Sequence, residues 1–198
     1  IEFLHDCHGR LSPTEAGRLA KELEPYHLFF LEDPLGPEHK EGFQLLRQFT
    51  TTPIAMGERF HTRWDALPLI TNQWIDFIRV DLAHIGGLTE ARKIAAIAEP
   101  FRVNTAFHGP PDVAPMTHAA NVHLDMAVAN FGVQEMFFFS EQAKEVFKGG
   151  PVFENGYLKV DDTPGLGTDV DEAAAGRFPY RRNYLPTTRR ADGSVYDW

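Results

Sequence analysis

IEFLHD (residues 1–6), FFLEDP (29–34) and PIAMGE (53–58) decide the fold. Each is a short apolar run of strand length that contains or ends on a carboxylate, Asp6, Glu32 and Glu58, and the three acids recur at an interval of 26 residues. One strand, one helix and two loops consume about that much chain. Side chains at the C-terminal ends of consecutive parallel strands converge on one mouth. Three carboxylates brought together there repel one another unless a cation lies between them. Three oxygen donors with positions to spare suit Mg²⁺, a hard ion that keeps waters and also takes substrate oxygens.

The same alternation continues along the chain. LSPTEAGRLAKELEPY (11–26) is expected to be a helix: Ser12 at the N-cap, Pro13 at N1, Glu15 completing a capping box, Leu19 and Leu23 on one face, Pro25 as the stop. EHKEGFQLLRQFT (38–50) is a second helix, with Phe43, Leu45 and Leu46 expected on the core side. Gly57 lets the backbone approach closely just before Glu58. RFHTRWDALPLITNQW (59–74) leads through a loop into a short helix, and WIDFIRVD (74–81) is a fourth strand ending near Arg79 and Asp81. HIGGLTEARKIAAIAEP (84–100) is a glycine turn and a helix, and FRVNTAFHG (101–109) a fifth strand ending at His108. A loop and helix (110–128) precede NFGVQE (130–135), a sixth short strand ending at Glu135.

Six β/α steps without hairpin signals mean a parallel sheet, either doubly wound or a barrel. No G-x-G-x-x-G or G-K-[ST] follows a strand, so a nucleotide site has no support. Functional groups at every strand end favour a barrel over a single switch point. A barrel needs eight strands, and two are expected to lie before Ile1. The chain also opens without Met inside a strand, so it is expected to be the C-terminal part of a longer protein. Residues 1–140 are assigned to a partial (β/α) barrel carrying the site. Residues 141–198, rich in Gly, Pro and aromatics, are assigned to a coil-rich extension with one short helix near DVDEAAAGRF, folding back on the barrel.

The bulk numbers narrow the functional classes. The chain has 198 residues, 43% of them hydrophobic, enough for one sizeable core. No run approaches ~18 uninterrupted apolar residues, so a membrane span is not expected. A net charge of −9 argues against a broad nucleic-acid surface. A single cysteine, Cys7, rules out an internal disulfide and points to a reducing, cytoplasmic compartment. If the extended geometry continues past Asp6, then Asp6 and His8 share a face as ligand and acid; otherwise His8 is a surface histidine beside a capped strand end. His108 before Gly109 has a plain turn-histidine reading beside the functional one, and Arg79 with Asp81 is open to a structural ion pair.

At these residues the chain resembles the enolase superfamily. Within it, the similarity is to the mannonate dehydratase group of acid-sugar dehydratases, including its starvation-sensing-protein-like members. The carrying pieces are LHDCHGRLSPTEA, FFLEDP, TTPIAMGE, IDFIRV, HIGG, FHGPPDVAP, NFGVQE, DDTPGLGTDVDE and DGSVYDW, in order over the whole chain. The resemblance implies an α/β fold, an N-terminal capping domain followed by a modified TIM-type barrel. This chain corresponds to the barrel from its third strand onward, with the capping domain absent. It implies Mg²⁺ held by Asp6, Glu32 and Glu58, and His8 as general acid, with His108 the second choice. Substrate contacts fall to Arg79, His108, Asp112, Glu135 and Trp198. The family's base, a Tyr/Arg pair after the second barrel strand, would lie upstream of Ile1, so the missing N-terminal part of the same protein is required. Homo-oligomers without nucleic-acid or membrane partners are implied.

The implied reaction removes a proton α to a carboxylate, with Mg²⁺ stabilising the enediolate charge, then expels the 3-hydroxyl with a donated proton. The product is a 2-keto-3-deoxy sugar acid, from D-mannonate or D-gluconate. Two departures from the pattern bear on the substrate. Pro110 and Pro111 reshape the loop presenting His108 and Asp112, and in the resemblance proline here accompanies weak activity or gluconate as substrate. Arg59-Phe60-His61 replaces small polar residues after Glu58 and is expected to narrow the mouth. An idle, ligand-binding or regulatory family member is the alternative. A metal-dependent hydrolase would need histidine ligands where the strand ends offer carboxylates.

Overall fold

Five strands form one parallel sheet in chain order. In this computed structural model, which describes residues 1–182, 184 and 189–194, they are β1 (Leu4–Asp6), β2 (Phe30–Glu32), β3 (Ile54–Met56), β4 (Phe77–Ile78) and β5 (Asn104–Thr105). Every neighbouring pair is parallel. The crossovers are made by α1 (Pro13–Leu23), α2 (Gly42–Phe49), α3 (Arg63–Thr71), α4 (Leu82–Ile85) and α5 (Gly87–Ala98); α6 (Pro115–Ala127) follows β5. Strand order that never reverses is barrel order, because a doubly wound sheet changes direction at its switch point.

The two faces of the strands bury different clusters. Leu31, Ile54, Met56 and Ile78 join the main core with helix residues such as Phe43, Leu46, Leu69 and Ile94. Alternate residues, Phe30, Ala55, Phe77 and Ala106, form a second, smaller cluster on the other face. That is one layer of a barrel interior, and Phe30 and Phe77 pack there with ring centroids 5.2 Å apart. The edge strand differs: Ile1, Phe3 and Leu4 are exposed.

Local chemistry accounts for the helices. Ser12 caps α1, with Glu15 Oε2 accepting from the Ser12 N–H at 2.9 Å, and Ala16 and Ala20 are buried while Leu19 and Leu23 pack at the core's rim. On α2, Phe43 and Leu46 are buried but Leu45 is exposed, contrary to the expectation. At about 100° per residue, Leu45 lies nearly opposite Phe43.

The expected sixth strand is reduced to one parallel bridge, Thr105 with Phe131. Gly132 is wedged there, since a Cβ would stand 2.9 Å from the Thr105 carbonyl, and among the described residues no strand pairs on its outer side. The extension is more regular than expected. It carries α7 (Glu141–Val146), β6 (Phe147–Gly149), β7 (Val152–Glu154), β8 (Tyr157–Lys159), β9 (Thr168–Val170) and α8 (Glu172–Ala175). β6 pairs antiparallel with β9, and β7 with β8. The β7–β8 turn is Asn155-Gly156, both at positive φ, the pair a tight hairpin favours. Among the described residues, no helix is long and apolar enough to cross a membrane. Cys7 is free and buried, and burial, then the Asp6 charge, pushes its thiol up to about 12.

Candidate functional site at the strand ends

The strands deliver their polar side chains to one end. Asp6 and Glu32 are the last residues of β1 and β2, and their Cα atoms are register partners. Glu58 follows β3 by two residues. Gly57 has φ +146, and a Cβ there would stand 3.0 Å from the Arg79 backbone nitrogen, so only glycine lets this turn pass the end of β4. Arg79 directly follows β4, and Asp81 caps α4 by accepting from the Ala83 N–H at 2.6 Å.

Arg79 ties one network together. Its guanidinium is buried and lies over the Phe30 ring. Nε donates to Glu32, Nη2 to Glu135 Oε2 at 2.7 Å, and Nη1 to the Ala106 carbonyl at 3.1 Å. Arg79 therefore pairs with Glu32 and Glu135, and not with Asp81. Burial raises the Glu135 carboxyl, but Arg79, the Gly109 N–H and His108 together outweigh it and the net direction is down.

Glu58 centres the second network. Its Oε1 is 3.1 Å from His8 Nε2 and its Oε2 3.3 Å from His108 Nε2. The other ring nitrogen of His108, Nδ1, is 2.9 Å from Asp81 Oδ2. Burial works against the His108 imidazolium, yet Asp81 and Glu58 outweigh it and raise its pKa. Asp81 shifts down, burial being outweighed by His108 and the Ala83 N–H together. An acid on each side fixes the ring's orientation and favours its protonated form. His8 arrives by an unexpected route: it adopts φ +53, so the extended backbone ends before it, and its N–H donates to Asp6 Oδ1 at 2.6 Å.

Asp6, Glu32 and Glu58 fit a hard cation in donor type and in strand position. Burial first, then the charges of Asp6 and Glu58, push Glu32 up to about 7 despite Arg79, a penalty that a divalent ion among them would relieve. Their side chains are not aimed as a cage: among the described residues no three His, Cys, Asp or Glu groups are arranged to hold a metal ion. The expected trio departs from that arrangement because each acid has turned to a closer partner, Arg79, the His8 N–H, or the His8 and His108 rings.

Sequence reasoning underrated Asp81 and missed Asp33. Asp33 is fully buried at φ +40, its carboxyl held well above the usual range by burial and then by Glu58 and Glu32, with Arg59 Nε 3.7 Å away. The signal for Asp81 was alternation, since Arg79 and Asp81 leave one strand end two residues apart. Arg59, Phe60 and His61, the departures after Glu58, go three different ways. The Arg59 guanidinium fills the space beside Gly9, Phe60 joins the core, and only His61 is exposed, near His84. Asp112 is exposed and makes no hydrogen bond or ion pair among the described residues, because the preceding loop is held elsewhere, His118 Nε2 lying 3.0 Å from the Pro110 carbonyl. Trp198 lies outside the described residues.

A family described as "Enolase C-terminal domain-like" matches residues 1–174. The D-mannonate dehydratase of Caulobacter sp. strain K31 is 48% identical over all 198 residues, and the chain covers 49% of that protein. The D-galactonate dehydratase family member RspA of Halomonas elongata is also 48% identical over the whole chain, again with 49% of its length covered. A crystal structure of an enolase from Pantoea ananatis with bound D-gluconate and Mg superposes with a TM-score of 0.95 at 46% identity, over 99% of this chain and 48% of that one. The chain thus spans about half the length of the relatives it matches.

Proposed function

Because the chain belongs to the enolase C-terminal domain-like family, we propose that it carries the metal and proton-donor side of an acid-sugar dehydratase. The substrate is of the D-mannonate or D-gluconate type and the product a 2-keto-3-deoxy sugar acid. The observation that carries this reading is the clasp on Glu58, which has an imidazole on each carboxylate oxygen and Asp81 behind one of them. A carboxylate strand end flanked by two proton carriers suits a reaction that removes a carbon-bound proton and then protonates a departing hydroxyl.

Asp6, Glu32 and Glu58 would hold Mg²⁺, which supplies charge stabilisation to the substrate carboxylate when bound. His8, 29% exposed in its side chain, is the donor to the 3-hydroxyl, and His108 is the buried reserve, its protonated form favoured by Asp81. Arg79 acts by holding Glu32 and Glu135 in place, since its donors are already engaged by them and by Ala106. The base belongs to another part of the protein. The described part of residues 141–198 serves as an extension against the barrel, with Phe153 and Leu158 lining one cavity with Val122 of α6.

The test is a panel of C5 and C6 sugar acids incubated with Mg²⁺ and the complete polypeptide containing this chain, read as 2-keto-3-deoxy acid formed. His8→Asn is expected to slow turnover by ~10²–10⁴-fold, and Glu58→Gln to abolish it. Turnover unchanged in Glu58→Gln would remove the basis of the reading. A second reading, a member that binds a sugar acid without efficient turnover, is favoured by the exposed Asp112 beside Pro110 and Pro111. It predicts saturable binding and no product across the panel.

A further inference from the structure

Away from the strand ends, one buried acid has nothing to pair with. Asp125, on α6, is 8% exposed, and among the described residues neither of its carboxylate oxygens has a hydrogen-bond partner. Among the strand-end acids, Asp33 also lacks a hydrogen bond, but Arg59 Nε stands 3.7 Å from it. An orphaned carboxylate at this depth is costly unless something outside the described residues answers it.

Its surroundings say where the answer comes from. Asp125 lines a cavity of about 390 Å³ with Val122, Phe131, Val133, Phe153 and Tyr157. Phe131 is the end of the sheet, bridged on one side to Thr105. Phe131, Met126, Phe153 and Tyr157 are each 46% exposed or more, an apolar rim around a buried carboxyl. A parallel sheet is stable with its faces covered and, in a barrel, its edges joined. The relatives carry as much chain again as this one.

We propose that Asp125 is the receptor for a lysine or arginine side chain carried by the polypeptide segment that closes the sheet beside Phe131. The segment adds as a strand along residues 131–133, its apolar side chains fill the cavity, and its basic group reaches Asp125. This assignment rests on the barrel geometry and not on the dehydratase reading, so it stands or falls separately.

The probe is the part of the Caulobacter D-mannonate dehydratase that this chain does not match, expressed separately and titrated into the 198-residue chain, with stoichiometry from sedimentation velocity and affinity from calorimetry. A one-to-one complex is expected. Asp125→Asn and Asp125→Lys are expected to weaken it at least ~30-fold, as truncating one side of a buried charge pair does. Glu41→Lys, exposed at the start of α2 beside the middle of the sheet, is expected to leave it unchanged. Circular dichroism of the isosteric Asn variant verifies its fold. Equal affinity for the parent chain and Asp125→Asn overturns the role of Asp125. Absence of any complex, or self-association of the chain in its place, overturns the closing segment itself.

Discussion

Glu32 and Asp125 are both buried acids on one scaffold, and the chain treats them in opposite ways. Glu32 is 4% exposed and meets Arg79; Asp125 is 8% exposed and meets nothing among the described residues. Both carboxyls are raised, Glu32 to about 7 by burial, then by the neighbouring Asp6 and Glu58 charges against the pull of Arg79, and Asp125 to about 8 by burial alone. The mouth of the half-barrel is thus completed from within, each strand end answering its neighbour. Its side is not. Charge satisfaction here follows chain continuity: partners arrive where consecutive strands end, and are wanting where the sheet stops.

The largest expected effect comes from breaking the completed region. Arg79→Met strips the cation from Glu32 and Glu135 and is expected to cost about 3–5 kcal/mol, a fall in melting temperature of roughly 10 °C or more. Adding Glu32→Gln should recover part of the loss. A thermal melt of Arg79→Met within about 2 °C of the parent would show that the mouth does not depend on this pairing.

The incomplete region should show itself in pH. A carboxyl raised from 3.8 to about 8 favours the protonated form in the folded chain, so the folded state binds the extra proton between those values. Its contribution to stability is full below pH 3.8 and is lost as pH rises to about 8. Melts of Asp125→Asn against the parent chain across this window should differ by a gap that widens with pH. A parallel pair of curves would place a cation beside Asp125 already.

Two smaller tests sharpen the contrast. Gly57→Ala puts a Cβ 3.0 Å from the Arg79 backbone at φ +146, and is expected to cost ~1–3 kcal/mol, read by chemical denaturation. Ser12→Ala, on an exposed cap remote from both acids, is expected to cost about 1 kcal/mol by the same measurement.

The parallel sheet, the helix boundaries and the acidic strand ends were legible because they rest on local signals: apolar runs, a capping box, an even interval. What failed needed three dimensions. Leu45 was misplaced because two leucines in a row cannot both face inward. The extension was underestimated because the Asn155-Gly156 hairpin signal sat inside a Gly- and Pro-rich stretch that looked like coil. Asp81 was weighed as a partner for Arg79, when the turn into α4 sends it to His108, a residue from the next strand. The turn of Glu58 toward two histidines depends on a left-handed backbone at His8, which no strand pattern announces.

Cys7 offers a chemical handle on the end of β1. Its sulfhydryl is the sole one in the chain, lies just past the end of β1, and is pushed up to about 12 by burial and the Asp6 charge, so almost none of it is in the reactive thiolate form at neutral pH. Burial shields it from alkylating reagents while β1 stays in place, so labelling is expected to follow opening of that terminal ribbon. The labelling rate therefore counts excursions of the edge strand, and anything that zips the outer rim shut should slow the chemistry in proportion.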